Sequence, residues 1–476
     1  MRRTTTLTAL LLGATLLAPT GAASAAGETC RGEAATIVGT DAPIVGTDGR
    51  DVIVTGTSIT TSAGAGDDLI CVTGLPNFNS FSVDAGPGND LVDSSTLPVN
   101  SYLTASLGDG ADTFIGGVAS ERVAAGAAGF IWVDVPSESE RDVIDTGDGS
   151  DSVISGGPGL ANDDAVRTGS GDDNVWWSGV MGAQSVLDAG DGSDLLIARA
   201  SGQTFAVDLT GQKLSRNGVV EGAFGSIERL KVHPEPDLGI VEVLGTDGDD
   251  SVGIDAAATI RADLGSGDDR LNVTTTKPGT NIDLGSGTDQ IHATPLASVQ
   301  IELGRGAMNT DGFVSVPLAG AERAFASAKS VILKGSKGAD VLVAVGCSAV
   351  VNGHDGNDYI EHSNYDADRD QGYDCDSGSI KLLGGSGSDT IEGGVRADRI
   401  YGGAGNDKID TGPARSGKNE VWGGGGNDRI QGGGDRDVLS GGAGRDKING
   451  SKGRDVAIGG RDRDTCRAEV EKSCER

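Results

Sequence analysis

Aspartate recurs at one position of a nine-residue repeat in the C-terminal part of the chain. From Gly384 to Cys466 the units read, for example, GGSGSDTIE from Gly384 and GGAGNDKID from Gly402. Each full unit has Asp at its sixth position and, with few exceptions, an apolar residue at its eighth. A carboxylate is a hard oxygen ligand of the kind calcium prefers, and the neighbouring glycines let backbone carbonyl groups converge. The candidate metal ligands in this array are Asp389, Asp398, Asp407, Asp428, Asp437, Asp446, Asp455 and Asp464.

The same glycine-aspartate corner recurs earlier in the chain at wider spacing. Examples are AGAGDD ending at Asp68 and LGSGDD ending at Asp269, and most steps between corners are about 18 to 22 residues, or a little over twice nine. We interpret this as coils of two strands and two corners, in which the earlier region keeps its aspartate corners on one edge only. The further candidate ligands are Asp68, Asp90, Asp112, Asp151, Asp173, Asp194, Asp250, Asp269, Asp289, Asp340 and Asp358.

A period of nine predicts a solenoid in which six residues turn a corner and three form a short strand, with the eighth residue facing a thin core. Aspartates on adjacent coils would then lie one strand spacing apart, about 4.8 Å. At an effective dielectric constant of 20, two like charges at that distance repel by roughly 3 to 4 kcal/mol. We therefore expect the stack of corners to need a cation.

If the array uses both edges, alternate units share an edge. One ladder then contains Asp389, Asp407, Asp428, Asp446 and Asp464, and the other contains Asp398, Asp437 and Asp455. The second ladder is interrupted at the longer unit from Thr411, where Asn419 and Glu420 replace the usual Asp.

The array resembles the RTX, or haemolysin-type, calcium-binding proteins, whose nonapeptide is G-G-x-G-x-D-x-U-x. The resemblance covers residues 384–466 and, as isolated corners, residues 46–358. It implies several Ca²⁺ ions and an all-β, right-handed parallel β-roll or β-helix solenoid with calcium-binding Gly/Asp-rich corners. TCRGEAATIVGT near the N-terminus and the later DDLIC are similar to secreted bacterial proteins of this type, in which disulfides close the first and last coils.

Composition excludes several other classes. Of 476 residues 79 are glycine, aromatic residues make up 4% and apolar residues 37%, which is too little large apolar surface for a conventional core. A net charge of −32 makes nucleic acid and anionic membranes poor partners.

The N-terminus has the order of a secretory signal peptide. Arg2 and Arg3 precede an apolar run from Leu7 to Ala18 and then Ala23-Ser24-Ala25. The run is too short to span a membrane, so we expect residues 1–25 to be removed on secretion. Export favours disulfides among the six cysteines.

Residues far apart in sequence are far apart in a solenoid, which favours pairing between sequential cysteines. The expected pairs are Cys30 with Cys71, Cys347 with Cys375, and Cys466 with Cys474.

Two segments break the rhythm of the corners. Between Asp194 and Asp250 no corner has Asp, although TFAVDL, GVVEG, SIERLKV and IVEVL read as strands, and we expect these corners to bind nothing. The corner near Gly304 has Met308 in place of Asp and should be free of metal.

Other motifs have weaker support. The loop Asp366–Gly372 resembles the start of a D-x-D-x-D-G calcium loop but has Gln371 where glycine belongs. Residues 412–419 nearly match a P-loop but lack its hydroxyl residue. Trp176 and Trp177 are adjacent, so in a strand one of them would face outward. The outward ring could stack on a sugar, or it could only cover a loop.

Catalytic motifs are not found in the sequence. The four histidines form no HExxH motif, and no serine lies in a G-x-S-x-G elbow. The pairs Asp67-Asp68, Asp172-Asp173 and Asp268-Asp269 lie at corner positions, which favours structural calcium over acid-base catalysis.

The sequence thus predicts a signal peptide (1–25), an irregular solenoid with single-edge corners (26–380) and a nonapeptide β-roll with a C-terminal disulfide cap (381–476). The expected protein is a secreted, monomeric, non-enzymatic calcium binder. It would be structural or adhesive at the cell surface or in the matrix, with polysaccharide as a candidate partner. The alternative is a lyase or epimerase acting on polysaccharide from a parallel β-helix.

Overall fold

The computed structural model describes residues 27–74, 80–126, 140–236, 238–255, 258–295, 297–312, 315–363, 365–366, 371–372, 378–412, 418–434 and 436–474. The signal peptide, Cys375, residues 367–370 of the acidic loop and residues 413–417 of the P-loop-like segment lie outside these ranges. The chain forms two compact units. Unit 1 is Met1–Gly156 with Asp164–Ser170, and unit 2 is Gly157–Asp163 with Gly171–Arg476.

Both units are parallel β-solenoids, as the repeat predicts. Within the described ranges there is no α-helix, and the one 3-10 turn is Leu303–Arg305. No helix in the described part of the chain has the length and hydropathy that crossing a membrane requires.

Unit 1 contains two parallel sheets, to which successive coils contribute successive strands. Their pairing is in register, as for Leu69 with Leu91 and Phe81 with Leu103. Sheet 1A consists of Ile37–Val38, Val52–Val54, Leu69–Cys71, Leu91–Asp93, Thr113–Gly117, Val143–Gly147 and Ala165–Arg167. Sheet 1B consists of Ile44–Thr47, Thr60–Gly64, Ser80–Asp84, Tyr102–Ser106, Ser120–Ala124 and Ser152–Ser155. Thr29–Cys30 and Glu33–Ala34 form an antiparallel pair ahead of them.

Unit 2 repeats this plan over more coils. Sheet 2A consists of Val186–Asp188, Thr204–Asp208, Lys213–Arg216, Val219–Gly225, Ile240–Leu244, Thr259–Asp263, Asn281–Asp283, Ser298–Glu302, Ala307–Thr310, Val316–Ala319, Ser330–Lys334, Ser348–Asp355, Ile380–Ser386, Asp398–Ala404, Glu420–Gly425, Val438–Ala443, Val456–Arg461 and Val470–Lys472. Sheet 2B consists of Asn174–Trp177, Leu195–Ala200, Arg229–Pro234, Ser251–Ile254, Arg270–Val273, Asp289–Ala293, Ala321–Ser327, Val341–Val345, Tyr359–Ser363, Thr390–Glu392, Lys408–Asp410, Arg429–Gln431, Lys447–Asn449 and Thr465–Arg467. Two short pairs stand apart, Ala161–Asn162 with Val180–Met181 and Tyr365–Asp366 with Gln371–Gly372.

The core of the nonapeptide array is a column of single apolar side chains. In sheet 2B, Ile360, Ile391, Ile409, Ile430 and Ile448 are register neighbours on consecutive coils, and none is more than 3% exposed. Each coil thus buries about one large side chain from each strand. This confirms the inward eighth position and explains why few aromatic residues are needed.

The two breaks in the rhythm are antiparallel insertions in sheet 2A. Thr204–Asp208, Lys213–Arg216 and Val219–Gly225 form a meander whose outer strands pair in parallel with the coils on either side. Ser298–Glu302, Ala307–Thr310 and Val316–Ala319 do the same. The strands expected between Asp194 and Asp250 are therefore present.

The assignment of a corner near Gly304 was wrong. Gly304 lies in the tight turn between the antiparallel strands Ser298–Glu302 and Ala307–Thr310, and Met308 is buried within the second of them. A hairpin turn uses glycine as a solenoid corner does, so the residue types alone did not separate the two.

The disulfides follow the expected order. Cys30 is bonded to Cys71 and Cys466 to Cys474. Cys347 is also disulfide-bonded, and its predicted partner Cys375 falls outside the described residues. Cys30 packs with Val52, Val54 and Leu69 in the first coils of unit 1.

Candidate metal centres at the corners

In the nonapeptide array each sixth-position aspartate links its coil to the coil before it. Except at Asp398, which starts a ladder, its Oδ1 accepts a hydrogen bond from the backbone N–H of the residue at the corresponding position one coil earlier. Along sheet 2B, Asp407 accepts from Asp389 at 2.9 Å, Asp428 from Asp407 at 2.9 Å and Asp446 from Asp428 at 2.8 Å. Asp464 ends this ladder by accepting from Asp446 at 2.9 Å.

A second ladder runs along sheet 2A. The N–H of Asp398 donates to Asn419 at 2.9 Å, that of Asn419 to Asp437 at 3.1 Å and that of Asp437 to Asp455 at 2.9 Å. The predicted division of the array between two edges is therefore confirmed.

Asn419 occupies an aspartate position but presents different chemistry. Because its Oδ1 accepts from Asp398, its other terminal atom is the amide Nδ2, which is buried. The partial positive charge of this amide group disfavours binding of a cation at the Asn419 corner.

The widely spaced corners form ladders of the same kind. In unit 1, Asp68 accepts from Asp51 at 2.7 Å, Asp90 from Asp68 at 2.8 Å and Asp112 from Asp90 at 2.7 Å. Asp151 accepts from Glu121 at 2.8 Å.

Unit 2 contains the remaining predicted corners. Asp194 accepts from Asp173 at 2.9 Å, Asp269 from Asp250 at 2.8 Å and Asp289 from Asp269 at 2.9 Å. Asp358 accepts from Asp340 at 2.9 Å, and Asp389 accepts from Asp358 at 2.8 Å. Every predicted site residue is thus a buried member of a ladder.

The expectation that the earlier corners occupy a single edge was wrong. In unit 1, Asp51, Asp68, Asp90 and Asp112 precede strands of sheet 1A, whereas Asp151 precedes Ser152–Ser155 of sheet 1B. Sequence spacing gives the length of a coil but does not say which of its two corners carries the carboxylate.

Several ladder members escaped the sequence motif. Asp142 and Asp164 continue the sheet 1A ladder, with N–H to Oδ1 distances of 2.8 Å from Asp112 to Asp142 and 3.0 Å from Asp142 to Asp164. Elsewhere glutamates take the place of aspartate, namely Glu121, Glu228, Glu322 and Glu469. The first three are each followed by arginine and an apolar residue at or near the start of a strand, which is a signal that could have identified them.

The second carboxylate oxygen has no partner at most corners. The Oδ2 atoms are buried and accept no hydrogen bond from the described residues at Asp68, Asp90, Asp112, Asp194, Asp269, Asp289, Asp358, Asp389, Asp407, Asp428, Asp446, Asp455 and Asp464. A buried polar atom left in this state costs about 1–3 kcal/mol, and more when it is charged. Repeated along a ladder, this cost indicates that a group absent from the polypeptide completes the corner.

The first glycine of each nonapeptide gives the carboxylate its space. A Cβ added to Gly384 would overlap the Oδ2 of Asp389 in its own unit, and one added to Gly385 would overlap the backbone oxygen of His354 on the coil before. Gly385 also has a φ of 120°, which a side chain disfavours.

Burial raises the pKa of these carboxyl groups. Those of Asp90, Asp358 and Asp407 rise to about 7 and those of Asp269 and Asp446 to about 6, because the charged form is desolvated. Hydrogen bonds from the preceding coil oppose the shift without cancelling it.

The donor set suits calcium better than a transition metal. No three His, Cys, Asp or Glu side chains converge on one point among the described residues, so an ion here would take its other ligands from backbone carbonyl groups. Calcium binds six to eight oxygens, including carbonyl oxygens, in flexible geometry. The residues that would hold it are the ladder aspartates and the glycine-rich backbone between adjacent corners.

Fold and corners together define a calcium-binding β-solenoid repeat protein. Residues 383–413, 414–448 and 431–466 match the family model of the RTX calcium-binding nonapeptide repeat (4 copies). The C-terminal part of the chain therefore contains RTX repeats folded as a β-roll. Such repeats imply bound calcium, are typical of secreted bacterial proteins and are typically non-enzymatic in the repeat region. The chain matches no curated protein.

The pKa shifts predict an unusual pH dependence for the calcium-free protein. Between about pH 4 and pH 7 the folded state binds more protons than the unfolded state, so the free energy of unfolding should fall as pH rises. Urea unfolding, in chelator at pH 5 and pH 7, of the structure that remains without calcium measures this. In saturating calcium the difference in stability between pH 5 and pH 7 should shrink or reverse, because protons then compete with the ion for the carboxylates. Greater stability at pH 7 than at pH 5 in chelator would contradict the burial account.

Replacing Asp407 should cost more bound calcium than replacing Asp398. Asp407→Ala leaves the backbone N–H of Asp389 unpaired, and Asp398→Ala leaves that of Gly394 unpaired. Each loss costs about 1–3 kcal/mol, so the two variants should lose similar stability in chelator. In calcium, Asp407→Ala also loses an ion held between carboxylate-bearing coils, whereas the coil after Asp398 presents the Asn419 amide. Calcium titration of both variants decides this, and equal losses of ions would refute the assignment.

Proposed function

We propose that this protein is a secreted calcium-binding repeat protein that completes its fold outside the cell and has a structural or adhesive role at the cell surface or in the matrix. The observation that carries the proposal is the series of buried aspartate ladders. At corners such as those of Asp407 and Asp428, one carboxylate oxygen accepts a hydrogen bond from the coil before and the other accepts none from the described residues. Calcium supplies the missing charge.

Energetics support coupling between calcium and folding. Neighbouring carboxylates on one ladder repel each other and have lost most of their hydration, while each coil of the array buries little apolar surface. Extracellular calcium modules commonly bind at about 10⁻⁴ to 10⁻³ M. A chain with such affinities would stay incompletely folded at low calcium and fold after export.

Secretion is supported by the N-terminal sequence and by the disulfides. The order of charged, apolar and small residues before residue 26 is that of a signal peptide. Disulfides such as Cys30–Cys71 and Cys466–Cys474 persist in oxidising compartments.

Calcium should protect the array in the full mature chain. The backbone amides of Asp389, Asp407 and Asp428 donate to the carboxylate of the next coil. If millimolar calcium stabilises these ladders, the amides should exchange with solvent at least tenfold more slowly in calcium than in chelator. Hydrogen-exchange mass spectrometry of residues 26–476 measures this, with circular dichroism reporting strand content. Magnesium at equal concentration is the control, because it demands stricter octahedral geometry. Equal exchange in calcium and chelator would refute calcium-coupled folding.

The adhesive part of the proposal has support on the outer face of sheet 2A. Tyr401 and Trp422 are register neighbours whose rings stack with centroids 4.6 Å apart and planes 6° from parallel. The Nζ of Lys381 lies 5.5 Å from the Tyr401 ring centroid. Trp422 is 38% exposed, and the next residue in its row is the small Ser440. An exposed aromatic pair with a lysine beside it suits a sugar ring with polar substituents.

Trp422→Ser should weaken polysaccharide binding without changing calcium binding. Loss of one exposed aromatic contact on the order of 1 kcal/mol would lower affinity about five- to tenfold. Co-sedimentation with peptidoglycan, chitin and cellulose in calcium measures this. Val350→Ser, at an exposed position of the same sheet face, is the matched control. Failure of the wild-type protein to bind any of them, or equal losses in both variants, would contradict this contact surface.

A further inference from the structure

The first aspartate of a ladder differs from those that follow. Its Oδ2 accepts a hydrogen bond from the backbone N–H of the residue four positions earlier, which is the second residue of the corner. The distances are 2.8 Å from Thr47 to Asp51, 2.7 Å from Thr246 to Asp250, 2.6 Å from Ser336 to Asp340 and 3.1 Å from Gly394 to Asp398. These four aspartates begin the ladders of Asp51–Asp164, Asp250–Asp289, Asp340–Asp464 and Asp398–Asp455.

At three of these corners a hydroxyl group adds a second donor. Thr47 Oγ1 donates to Asp51 Oδ2 at 2.9 Å. Thr246 Oγ1 lies 3.2 Å from Asp250 Oδ1, and Ser336 Oγ lies 3.1 Å from Asp340 Oδ1. These three corners read GTDGRD, GTDGDD and GSKGAD. The same pattern also occurs as GSKGRD at the interior corner of Asp455, so the sequence alone does not define a ladder start.

Backbone conformation distinguishes the two kinds of corner. At interior corners other than that of Asp437, the second residue has a left-handed φ, as in Gly265 (93°) and Gly403 (120°), and even His354 (76°) and Ser451 (70°) adopt it despite their side chains. Gly394 could adopt it freely but does not. Gly433, at the corner of Asp437 that follows the Asn419 interruption, does not adopt it either. Apart from this corner, the conformation follows the position of the corner in its ladder rather than the residue type.

The far ends of three ladders are also satisfied by the polypeptide. Glu322 accepts from the N–H of Asp289 at 2.9 Å and from its own N–H, and Glu469 accepts from Asp455 at 2.8 Å and from its own N–H. Asp164 accepts from Asp142 and, at 2.7 Å, from Ser155 Oγ.

We propose that these terminal carboxylates are caps that bind no cation, and that calcium is bound only at the interior corners between them. Asp250, Asp340 and Asp398 then start ladders instead of acting as calcium ligands with their second oxygen. Conversely, Asp68, Asp90 and Asp112 in unit 1 and Asp269 and Asp289 in unit 2 hold ions, although they lie outside the residues that match the RTX repeat. This inference rests on the proposed calcium binding and specifies which corners perform it.

The physical reason is the number of oxygens that a corner can offer. A calcium ion takes six to eight oxygen ligands, and an interior corner shares them with the corner of the adjacent coil. The first corner of a ladder has no such neighbour before it, so an ion there would lack ligands and the buried carboxylate would be unsatisfied. An N–H or O–H donor satisfies it and places partial positive charge where the cation would lie.

Replacing a carboxylate by an amide distinguishes interior corners from caps, because only an interior corner should then lose a bound ion. Asparagine keeps the Oδ1 that accepts from the coil before, as Asn419 does naturally. Native mass spectrometry of the full mature chain in millimolar calcium counts bound ions for Asp269→Asn, Asp250→Asn and Glu322→Gln. Asp247→Asn, at an exposed position of the Asp250 corner, controls for net charge. Circular dichroism verifies that each variant is folded.

The expected result is that Asp269→Asn loses at least one ion, while Asp250→Asn, Glu322→Gln and Asp247→Asn retain the wild-type count. Loss of an ion in both Asp250→Asn and Glu322→Gln would overturn the capping proposal and leave calcium binding intact. Should Asp250→Asn fail to fold, Glu322→Gln decides alone. A wild-type protein with no bound calcium would instead refute the proposed function, and the capping proposal with it.

Discussion

At interior corners such as those of Asp269, Asp407 and Asp428, the carboxylate is held by one oxygen, and the other accepts no hydrogen bond from the described residues. The first oxygen accepts the backbone N–H of the equivalent residue one coil earlier, as Asp428 does from Asp407, and so fixes the register between coils. The second oxygen is buried beside glycine. Because a row of such groups is unfavourable without a counter-charge, we propose that the fold depends on a bound cation as an ordinary domain depends on its core.

This dependence explains the other features of the chain. Only single columns of apolar residues such as Ile391 and Ile409 are buried in the array, so side-chain packing contributes little per coil. Glycine is abundant because a Cβ at positions such as Gly384 would overlap the carboxylate. Disulfides fix the first coils of unit 1 and the last coil of unit 2, where a neighbouring coil is missing on one side.

Much of this could be predicted from the sequence, because a nine-residue period with aspartate at one phase leaves few alternatives to a solenoid. Asp407 was found because glycines surround it, and the interruption at Asn419 was visible in the repeat. Glu322 and Asp164 were missed because a terminal acceptor requires only a carboxylate before a strand and no glycine turn. Met308 was misassigned because a hairpin turn imitates a corner, and the choice of edge in unit 1 depends on coil geometry that spacing does not encode.

Anomalous diffraction from crystals grown in calcium tests the central claim most directly. The account predicts calcium peaks at interior corners such as those of Asp269 and Asp407, with the Oδ2 atom within about 2.3–2.6 Å of the ion. Ordered water instead of calcium at these corners, with the coils unchanged, would contradict the claim that a cation completes the buried ladders.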